Sequence, residues 1–300
     1  MTKKIRNIAA SIRQKLKNKA TQDKRLFAEL LQYYAMERFL YRLTQSEYAA
    51  LFILKGALML RVWKSPEVRP TMDIDMLAIT NNEVSNICIQ VAEIIAIETD
   101  DGLVFDPATI RGEIIKEDAD YEGVRVRFIA YLDNARVNMQ LDIGFGDIVY
   151  PEPVKMELPN ILDLPAPRLL CYSRESAIAE KFEAMIKLGE MNSRMKDFYD
   201  IWLLSRQFEF NGADLAEAIK LTFEHRGTKL SEPITAFTDD FVKNKQVQWR
   251  AFQRRLGQKY VSDDFFDIIV DLKIFLQPIV SALKNSSNLP VKWIVADSWL

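Results

Sequence analysis

The sequence of 300 residues contains one histidine, His225, and two cysteines, Cys88 and Cys171. A single histidine excludes zinc sites of the HExxH type and argues against Ser–His–Asp or Cys–His catalysis. The two cysteines are far apart in the sequence and lack the spacing of metal ligands, which is typical of a protein in a reducing compartment. Any chemistry must therefore depend on carboxylates, lysines and a metal ion.

Long apolar runs are also missing, because none reaches the roughly 18–20 residues that a membrane-spanning helix needs. The N-terminus is basic, but no apolar segment of the kind found in secretory signals follows it. We therefore expect a cytoplasmic protein without a membrane partner.

Charge of either sign is nearly balanced, with a net charge of -2, so overall charge does not indicate a nucleic-acid partner. Residues 1–25 nevertheless carry nine basic side chains and one acid, Asp23. Such a segment could attract phosphate backbones. A solvated amphipathic helix explains it equally well.

Prolines mark a candidate domain boundary between residues 151 and 167, where the sequence predicts an irregular connector. We expect residues 1–165 to form N-terminal helices and a mixed α/β domain, and residues 166–300 to form an α-helical domain. Periodicity predicts helices at 4–20, 24–45, 83–98, 173–191, 194–208, 212–225, 231–239, 245–257 and 262–285. It predicts strands at 71–79, 103–106, 111–117, 124–132 and 137–143, with a further short strand at 290–295.

Two aspartates lie on one face of the predicted strand 71–79. Asp73 and Asp75 are two residues apart, so their side chains project from the same side as Thr71. Carboxylates roughly 7 Å apart along an extended chain repel each other unless a cation lies between them. Oxygen ligands of this kind suit Mg²⁺, which also binds substrate phosphates. The alternative is a solvated Asp-x-Asp at a strand end.

A third carboxylate, Asp142, lies on the polar face of the predicted strand 137–143. If this strand neighbours the strand with Asp73 and Asp75, the three groups can hold two divalent cations. One cation would activate an attacking hydroxyl and the other would bind a triphosphate, while the third carboxylate assists deprotonation. By itself, Asp142 is equally typical of a half-exposed strand.

Charged side chains interrupt the apolar faces of two C-terminal helices. Lys181 lies in the middle of an apolar stripe on helix 173–191, where an unpaired ammonium group is costly. Asp197 and Asp200 share a face of the next helix with apolar residues. Lys181 could pair with an acid or bind a phosphate, and the two aspartates could be held by Lys181, by Arg194 or by a nucleotide.

Further candidates precede the first two aspartates. Gly56 could let backbone N–H groups approach a phosphate at a helix start, although a helix-packing role explains it nearly as well. Arg69 could neutralise phosphate charge or form a salt bridge with the aspartates, and Lys55 is a lesser candidate.

Five motifs combine these residues: Lys55-Gly56-Ala57, Arg69-Pro70-Thr71-Met72-Asp73-Ile74-Asp75, Gln140-Leu141-Asp142-Ile143-Gly144-Phe145-Gly146-Asp147, Glu180-Lys181 and Lys196-Asp197-Phe198-Tyr199-Asp200. In their order and distances they resemble the AbiEii/AbiGii nucleotidyltransferase toxins, a branch of the DNA polymerase β-like nucleotidyltransferase superfamily. The resemblance spans roughly residues 35–205. It implies an α+β fold with a polymerase β-like mixed sheet, N-terminal helices and a C-terminal α-helical lobe.

The resemblance also implies an activity, namely Mg²⁺- or Mn²⁺-dependent transfer of a nucleoside monophosphate from an NTP with release of pyrophosphate. Members of the family are toxins of bacterial toxin–antitoxin or abortive-infection phage-defence systems, and some add nucleotides to tRNA acceptor ends. The implied partners are therefore an NTP, an RNA acceptor such as tRNA, and a cognate antitoxin.

Residue by residue, the resemblance assigns metal binding and catalysis to Asp73, Asp75 and Asp142. It assigns catalytic or nucleotide-binding roles to Lys181, Asp197 and Asp200, and the remaining nucleotide-binding candidates are Lys55, Gly56, Ala57, Arg69 and Thr71. The family's turn usually reads Gly-Ser or Gly-Gly. Because Ala57 has no hydroxyl, any phosphate contact there must come from the main chain.

Two alternative functions stay open at this point. The same chemistry could modify a protein or a small molecule. The chain could also be an NTP-binding module without turnover, for which the altered Gly56-Ala57 turn is the best support.

Overall fold

The computed structural model describes residues 7–66, 69–118, 121–230, 232–258, 260–285, 287–295 and 298–300. The basic residues Lys3, Lys4 and Arg6, where the first helix was expected to start, lie outside this set. The chain forms two compact units, one of residues 1–146 and 154–171, the other of residues 147–153 and 172–300. The domain boundary at 165/166 stays a prediction. Among the described residues, no helix is both long and apolar enough to cross a membrane.

A mixed seven-stranded sheet is the centre of the first unit. Its strands are β1 (Phe52–Lys55), β2 (Ile74–Ala78), β3 (Leu103–Asp118), β4 (Tyr121–Leu132), β5 (Ala135–Phe145), β6 (Val154–Glu157) and β7 (Arg168–Cys171). They are arranged in the order β3-β4-β5-β2-β1-β7-β6. Strand β2 runs parallel to β5, and β1 runs parallel to β7, while the other neighbours are antiparallel.

Four helices belong to the first unit: α1 (Ile8–Gln22), α2 (Phe27–Gln45), α3 (Met59–Val62) and α4 (Val84–Ile95). Helix α2 is the most deeply buried, with Tyr34, Phe39 and Leu40 fully enclosed in the core. Phe39 packs against Phe105 of β3 and Phe128 of β4, with ring centroids 6.4 and 5.6 Å apart. The apolar face of the sheet thus packs on α2, and the opposite face of β4 and β5 carries the polar residues.

Two expectations for this unit are wrong in detail. Residues 103–106 and 111–117 belong to one strand, β3, whose register with β4 shifts between Asp106 and Arg111. Pro107 falls in this irregular part of an edge strand, where a residue without an N–H group is tolerated. The stretch expected to be an irregular connector, residues 151–167, contains β6, and β7 follows directly after it; both strands extend the sheet beyond β1.

The second unit is mainly helical, as expected. It contains α5 (Arg174–Leu188), α6 (Met195–Gln207), α7 (Gly212–His225), α8 (Asp239–Leu256) and α9 (Phe265–Asn285). Its core includes an aromatic cluster in which the ring of Phe265 lies 5.3 Å from Phe198, 6.3 Å from Phe241 and 5.2 Å from Trp249. The expected C-terminal strand is β9 (Lys292–Trp293), paired with β8 (Phe210–Asn211).

The helix predicted at 231–239 is wrong, since only a 3₁₀ turn over Thr235–Phe237 forms there. Helix α8 instead starts at Asp239, six residues before the predicted start. The reason is local: Thr238 caps α8 by accepting a hydrogen bond from the N–H of Phe241 at 3.3 Å. Pro233 cannot donate to a helix at the preceding turn.

A buried ion pair ties α2 to the loop before β3 and gives a stability prediction. Arg42 donates to both carboxylate oxygens of Asp101, at 2.5 and 3.1 Å, and the side chains are 3% and 2% exposed. Arg42→Ala leaves the Asp101 carboxylate buried without its cation, so we expect the free energy of unfolding to fall by about 3–5 kcal/mol in urea titrations. Arg13→Ala, which breaks an exposed pair with Asp133, should cost less than about 1 kcal/mol. Equal losses would contradict this account.

Candidate active site

The strand pairing of the first unit brings the three predicted carboxylates together. Asp75 of β2 lies directly opposite Asp142 of the parallel strand β5. Asp73 immediately precedes β2, and one ligand oxygen from each of the three aspartates lies within 4.8 Å of the others. Asp142 is 8% exposed, whereas Asp73 and Asp75 are half-buried and open to the surface.

Arg125 supplies a counter-charge to this cluster. It lies opposite Asp142 on the antiparallel strand β4, and its Nε and Nη2 atoms donate to the two carboxylate oxygens at 2.7 and 2.6 Å. These hydrogen bonds raise the pKa of Arg125. The bidentate pair fixes the plane of the Asp142 carboxylate and offsets part of the repulsion among the three acids.

Asp73 is oriented by the segment that leads into β2. The hydroxyl of Thr71 donates to Oδ1 of Asp73, and the N–H of Thr71 donates to the hydroxyl of Tyr33 at 3.1 Å. The buried amide of Gln32 donates to the carbonyls of Met72 and Asn138, both at 3.1 Å. Helix α2 therefore holds the backbone on both sides of the acidic cluster.

Gly56 lies against Asp75, across the β1–β2 pair. Its φ is +72°, and a Cβ added there would overlap the carboxylate of Asp75 and lie 2.6 Å from its Cγ. Glycine is thus required both by the backbone conformation and by the close approach of Asp75. This contact gives Gly56 a role beside the carboxylate that the sequence did not suggest.

The other nucleotide-binding candidates surround this turn. Lys55 lies opposite Asp75 in the register of β1 with β2 and is 7% exposed. Ala57 is buried within a 3₁₀ turn, Gly56–Leu58, that leads into the single-turn helix α3. Arg69 is half-buried in the extended segment before Asp73.

Lys181, Asp197 and Asp200 form a second cluster, in the second unit. The ammonium group of Lys181 lies 3.5 Å from Oδ1 of Asp197 and 3.1 Å from Oδ2 of Asp200. Arg194 lies 2.6 Å from the other carboxylate oxygen of Asp197. The side chain of Lys181 is 18% exposed, whereas those of Asp197 and Asp200 are 1% and 5% exposed.

Arg226 is a functional or structural residue that the sequence interpretation missed. It directly follows α7; its side chain is 8% exposed and pairs with Asp147 at 2.7 Å and with Glu183 at 3.0 Å. Burial lowers the pKa of Arg226, but Glu180 and Asp147 outweigh it, so the pKa is raised. Its partner Glu183, on α5, is fully buried.

Arg125 was also missed, although the sequence contains a signal for it. The hairpin turn between β4 and β5 has two residues, Asp133 and Asn134, and Leu132 pairs with Ala135. Counting back along both strands from a two-residue turn places Arg125 opposite Asp142. No comparable local signal exists for Arg226, whose partners are distant in sequence.

The residues of the first cluster fit a divalent cation. Three carboxylates offer only hard oxygen donors, and their spacing lets one ion contact all three. The glycine beside Asp75 leaves the carboxylate room that any Cβ would fill. Lewis-acid chemistry on a phosphate is what an ion at such a site supplies.

A mixed sheet that presents paired strand carboxylates beside a glycine turn defines a nucleotidyltransferase. The family described as nucleotidyl transferase AbiEii toxin, type IV toxin–antitoxin system, matches residues 38–269. The chain belongs to this AbiEii family, so the predicted family and enzyme class are confirmed. Membership implies an NTP substrate and an antitoxin partner.

Two solved structures from Helicobacter pylori are similar in fold. One is a candidate nucleotidyltransferase, with a TM-score of 0.50 and 18% identity, which covers 87% of this chain and 98% of its own. The other is JHP933, with a TM-score of 0.48 and 18% identity, which covers 83% of this chain and 90% of its own. No curated protein has significant sequence similarity to the chain. The first of these structures supports the predicted fold class.

The contact between Gly56 and Asp75 yields a prediction about metal binding. Gly56→Ala should displace the Asp75 carboxylate and weaken Mn²⁺ binding, measured by electron paramagnetic resonance, by about tenfold or more, the range seen when groups that orient metal ligands are altered. Gly257→Ala is the matched control, because Gly257 has a φ of +69° but no atom within 4 Å of an added Cβ. Alanine in this left-handed backbone conformation should lower the stability of the variant by roughly 1–2 kcal/mol. Its Mn²⁺ affinity should stay that of wild type. Unchanged affinity in Gly56→Ala would contradict the assignment.

Proposed function

We propose that the protein is a Mg²⁺- or Mn²⁺-dependent nucleotidyltransferase that transfers a nucleoside monophosphate from an NTP to the 3′ end of an RNA, most simply a tRNA. We further propose that it acts in a bacterial cytoplasm as the toxin of a toxin–antitoxin system used in phage defence. The observation that carries the proposal is the convergence of Asp73, Asp75 and Asp142 on neighbouring parallel strands. Membership of a nucleotidyltransferase toxin family supports it.

In the proposed reaction, the 3′ oxygen of the acceptor attacks the α-phosphorus of the NTP. The bond from that phosphorus to the bridging oxygen breaks, and pyrophosphate leaves. Asp73, Asp75 and Asp142 would hold the metal ion, whose Lewis-acid chemistry would polarise the phosphate and favour the deprotonated acceptor oxygen. Our candidate for accepting the hydroxyl proton is Asp142, whose carboxylate is oriented by two hydrogen bonds from Arg125.

We assign the triphosphate to the turn at Gly56 and its flanking residues. Lys55 and Arg69 supply positive charge there, and Thr71 orients Asp73. Since Ala57 has no hydroxyl, its contribution would be its backbone N–H. On the family resemblance, we assign Lys181, Asp197 and Asp200 to nucleotide binding and charge stabilisation as well.

A labelled-nucleotide assay tests the proposed reaction. Wild type incubated with each of the four α-labelled NTPs, Mg²⁺ and total tRNA should transfer label to RNA. Asp73→Ala should lower the rate by more than about 100-fold, because loss of a direct metal ligand exceeds the 10–100-fold cost of altering a supporting group. Asp163→Ala, at an exposed acid of the same unit, is the control and should transfer label at the wild-type rate.

The same assay separates the alternative functions. Label on protein or in a low-molecular-weight fraction would show that the acceptor is a protein or a small molecule and not RNA. Binding of NTP without release of pyrophosphate would show that the protein is a nucleotide-binding module and not an enzyme. Equal transfer by wild type and Asp73→Ala would refute catalysis at this site.

Lys181 gives a separate prediction, because its pairing with Asp197 and Asp200 also admits a purely structural role. If Lys181 stabilises charge on the reacting nucleotide, Lys181→Met should lower kcat by about 10²–10³-fold, as for loss of one donor to a developing charge. Lys181→Arg keeps the charge and should restore part of kcat. A fall in thermal stability with normal kcat of the folded fraction would show that Lys181 is structural only.

A further inference from the structure

A groove of about 530 Å³ lies in the first unit beside Asp73. It is lined by residues of α2, by Met72 and Asp73 before β2, and by residues of β4 and β5. The side chains that matter for its chemistry are those of Met72, Arg127, Arg136, Asn138 and Gln140. The volume falls within the roughly 300–1,000 Å³ of small-molecule sites, so a nucleotide-sized group fits it.

The outward side chains of β4 and β5 lead from the acidic cluster along this groove. Residues directly opposite each other in an antiparallel pair project from the same face. Beyond Arg125 and Asp142, the register pairs Arg127 with Gln140, Ile129 with Asn138, and Tyr131 with Arg136. At about 3.4 Å per residue, this row extends about 20 Å from Asp142 to Arg136.

The charge of the groove favours an anionic ligand. Arg136 is exposed, and within the part of the chain that the structure describes it makes no ion pair. Arg127 donates to Gln140 at 3.1 Å and to Glu113 at 2.8 Å, but that ion pair is half-exposed and therefore weak. Both arginines can turn toward a phosphate at little cost.

An aromatic ring and an apolar side chain accompany these cations. Tyr131 does not line the groove but lies opposite Arg136 on the same face, and Met72, which lines the groove, is 60% exposed. Cations that follow a phosphate backbone, with aromatic rings on which bases stack, are the features that bind single-stranded nucleic acid.

The position of the groove distinguishes acceptor from NTP. In the sheet, β2 lies between β1, which carries the Gly56 turn, and β5, which carries the groove. Attacking and leaving oxygens lie roughly in line on opposite sides of a transferred phosphorus. With the triphosphate at the Gly56 turn, the attacking hydroxyl must come from the β5 side.

We propose that this groove binds the single-stranded 3′ end of the RNA acceptor, with Arg136 and Arg127 contacting its phosphates and Tyr131 stacking on a base. The proposal rests on the proposed function for the identity of the acceptor. It locates acceptor recognition on the sheet of the first unit.

The test measures RNA binding and transfer separately. Binding of a short labelled single-stranded RNA is followed by fluorescence anisotropy without NTP, at several salt concentrations. Each phosphate contact to a single strand contributes a slope of about −0.7 in log K against log salt, a factor of about 5 at 0.1 M. Arg136→Ala should therefore weaken binding about fivefold and reduce the slope by about 0.7. In transfer assays it should raise KM for RNA by the same factor while KM for NTP stays unchanged.

Arg168→Ala is the matched control, because Arg168 is exposed on β7, on the far side of β1 from the groove. It should bind RNA like wild type. Tyr131→Leu should also weaken binding, while Tyr131→Phe should keep it, because stacking needs the ring and not the hydroxyl. Thermal unfolding midpoints like that of wild type verify that each variant is folded.

The outcomes distinguish this proposal from the proposed function. Transfer to RNA by wild type with unaltered binding in the Arg127→Ala, Arg136→Ala double variant would overturn the groove and leave the function standing. Groove-dependent RNA binding without any transfer would support the groove and overturn the function. Label on protein, with no RNA binding, would overturn both.

Discussion

The register of the parallel β2–β5 pair is the constraint on which the acidic cluster depends. It places Asp75 opposite Asp142 while their neighbours Ile74, Leu141 and Ile143 lie in the core with almost no exposure. A slip of one residue would exchange Asp142 with a buried leucine and turn the carboxylate into the apolar core. Burial of the apolar residues therefore fixes the position of charges that would otherwise repel each other.

The three carboxylates are held by three different devices. Asp142 has a bidentate arginine, Asp73 accepts the Thr71 hydroxyl, and Asp75 has a glycine that leaves it space. Each device supplies what a fixed metal ligand needs, namely a counter-charge, an orienting hydrogen bond or steric room. These devices come from β4, from the segment before β2 and from the turn after β1. The geometry of the cluster therefore depends on several strands of the central sheet.

The sequence was sufficient for the features that depend on local periodicity and motif order. Asp73 and Asp75 were expected on one strand; Asp75 lies in β2, and Asp73 immediately precedes it. The mixed sheet with a helical C-terminal part formed as the resemblance implied. What it could not supply were contacts fixed by tertiary packing. Glu183 of α5, for example, is fully buried and accepts a hydrogen bond from Arg226, 43 residues later in the sequence. Arg125 is intermediate, since hairpin counting from the turn would have found it.

The two charged clusters of the second unit differ in how much of their cationic side chains is exposed. Arg226 is enclosed with Asp147 and the fully buried Glu183, and removing such a cation would leave buried carboxylates without compensation. Asp147 and Glu180, which belong to the motifs of the resemblance, are part of the same structural network around Arg226. Lys181 also has two carboxylates beside it, those of Asp197 and Asp200, but its side chain stays 18% exposed. A cation that must reach a ligand has to remain accessible, so Lys181, rather than Arg226, meets the physical requirement for contact with a nucleotide.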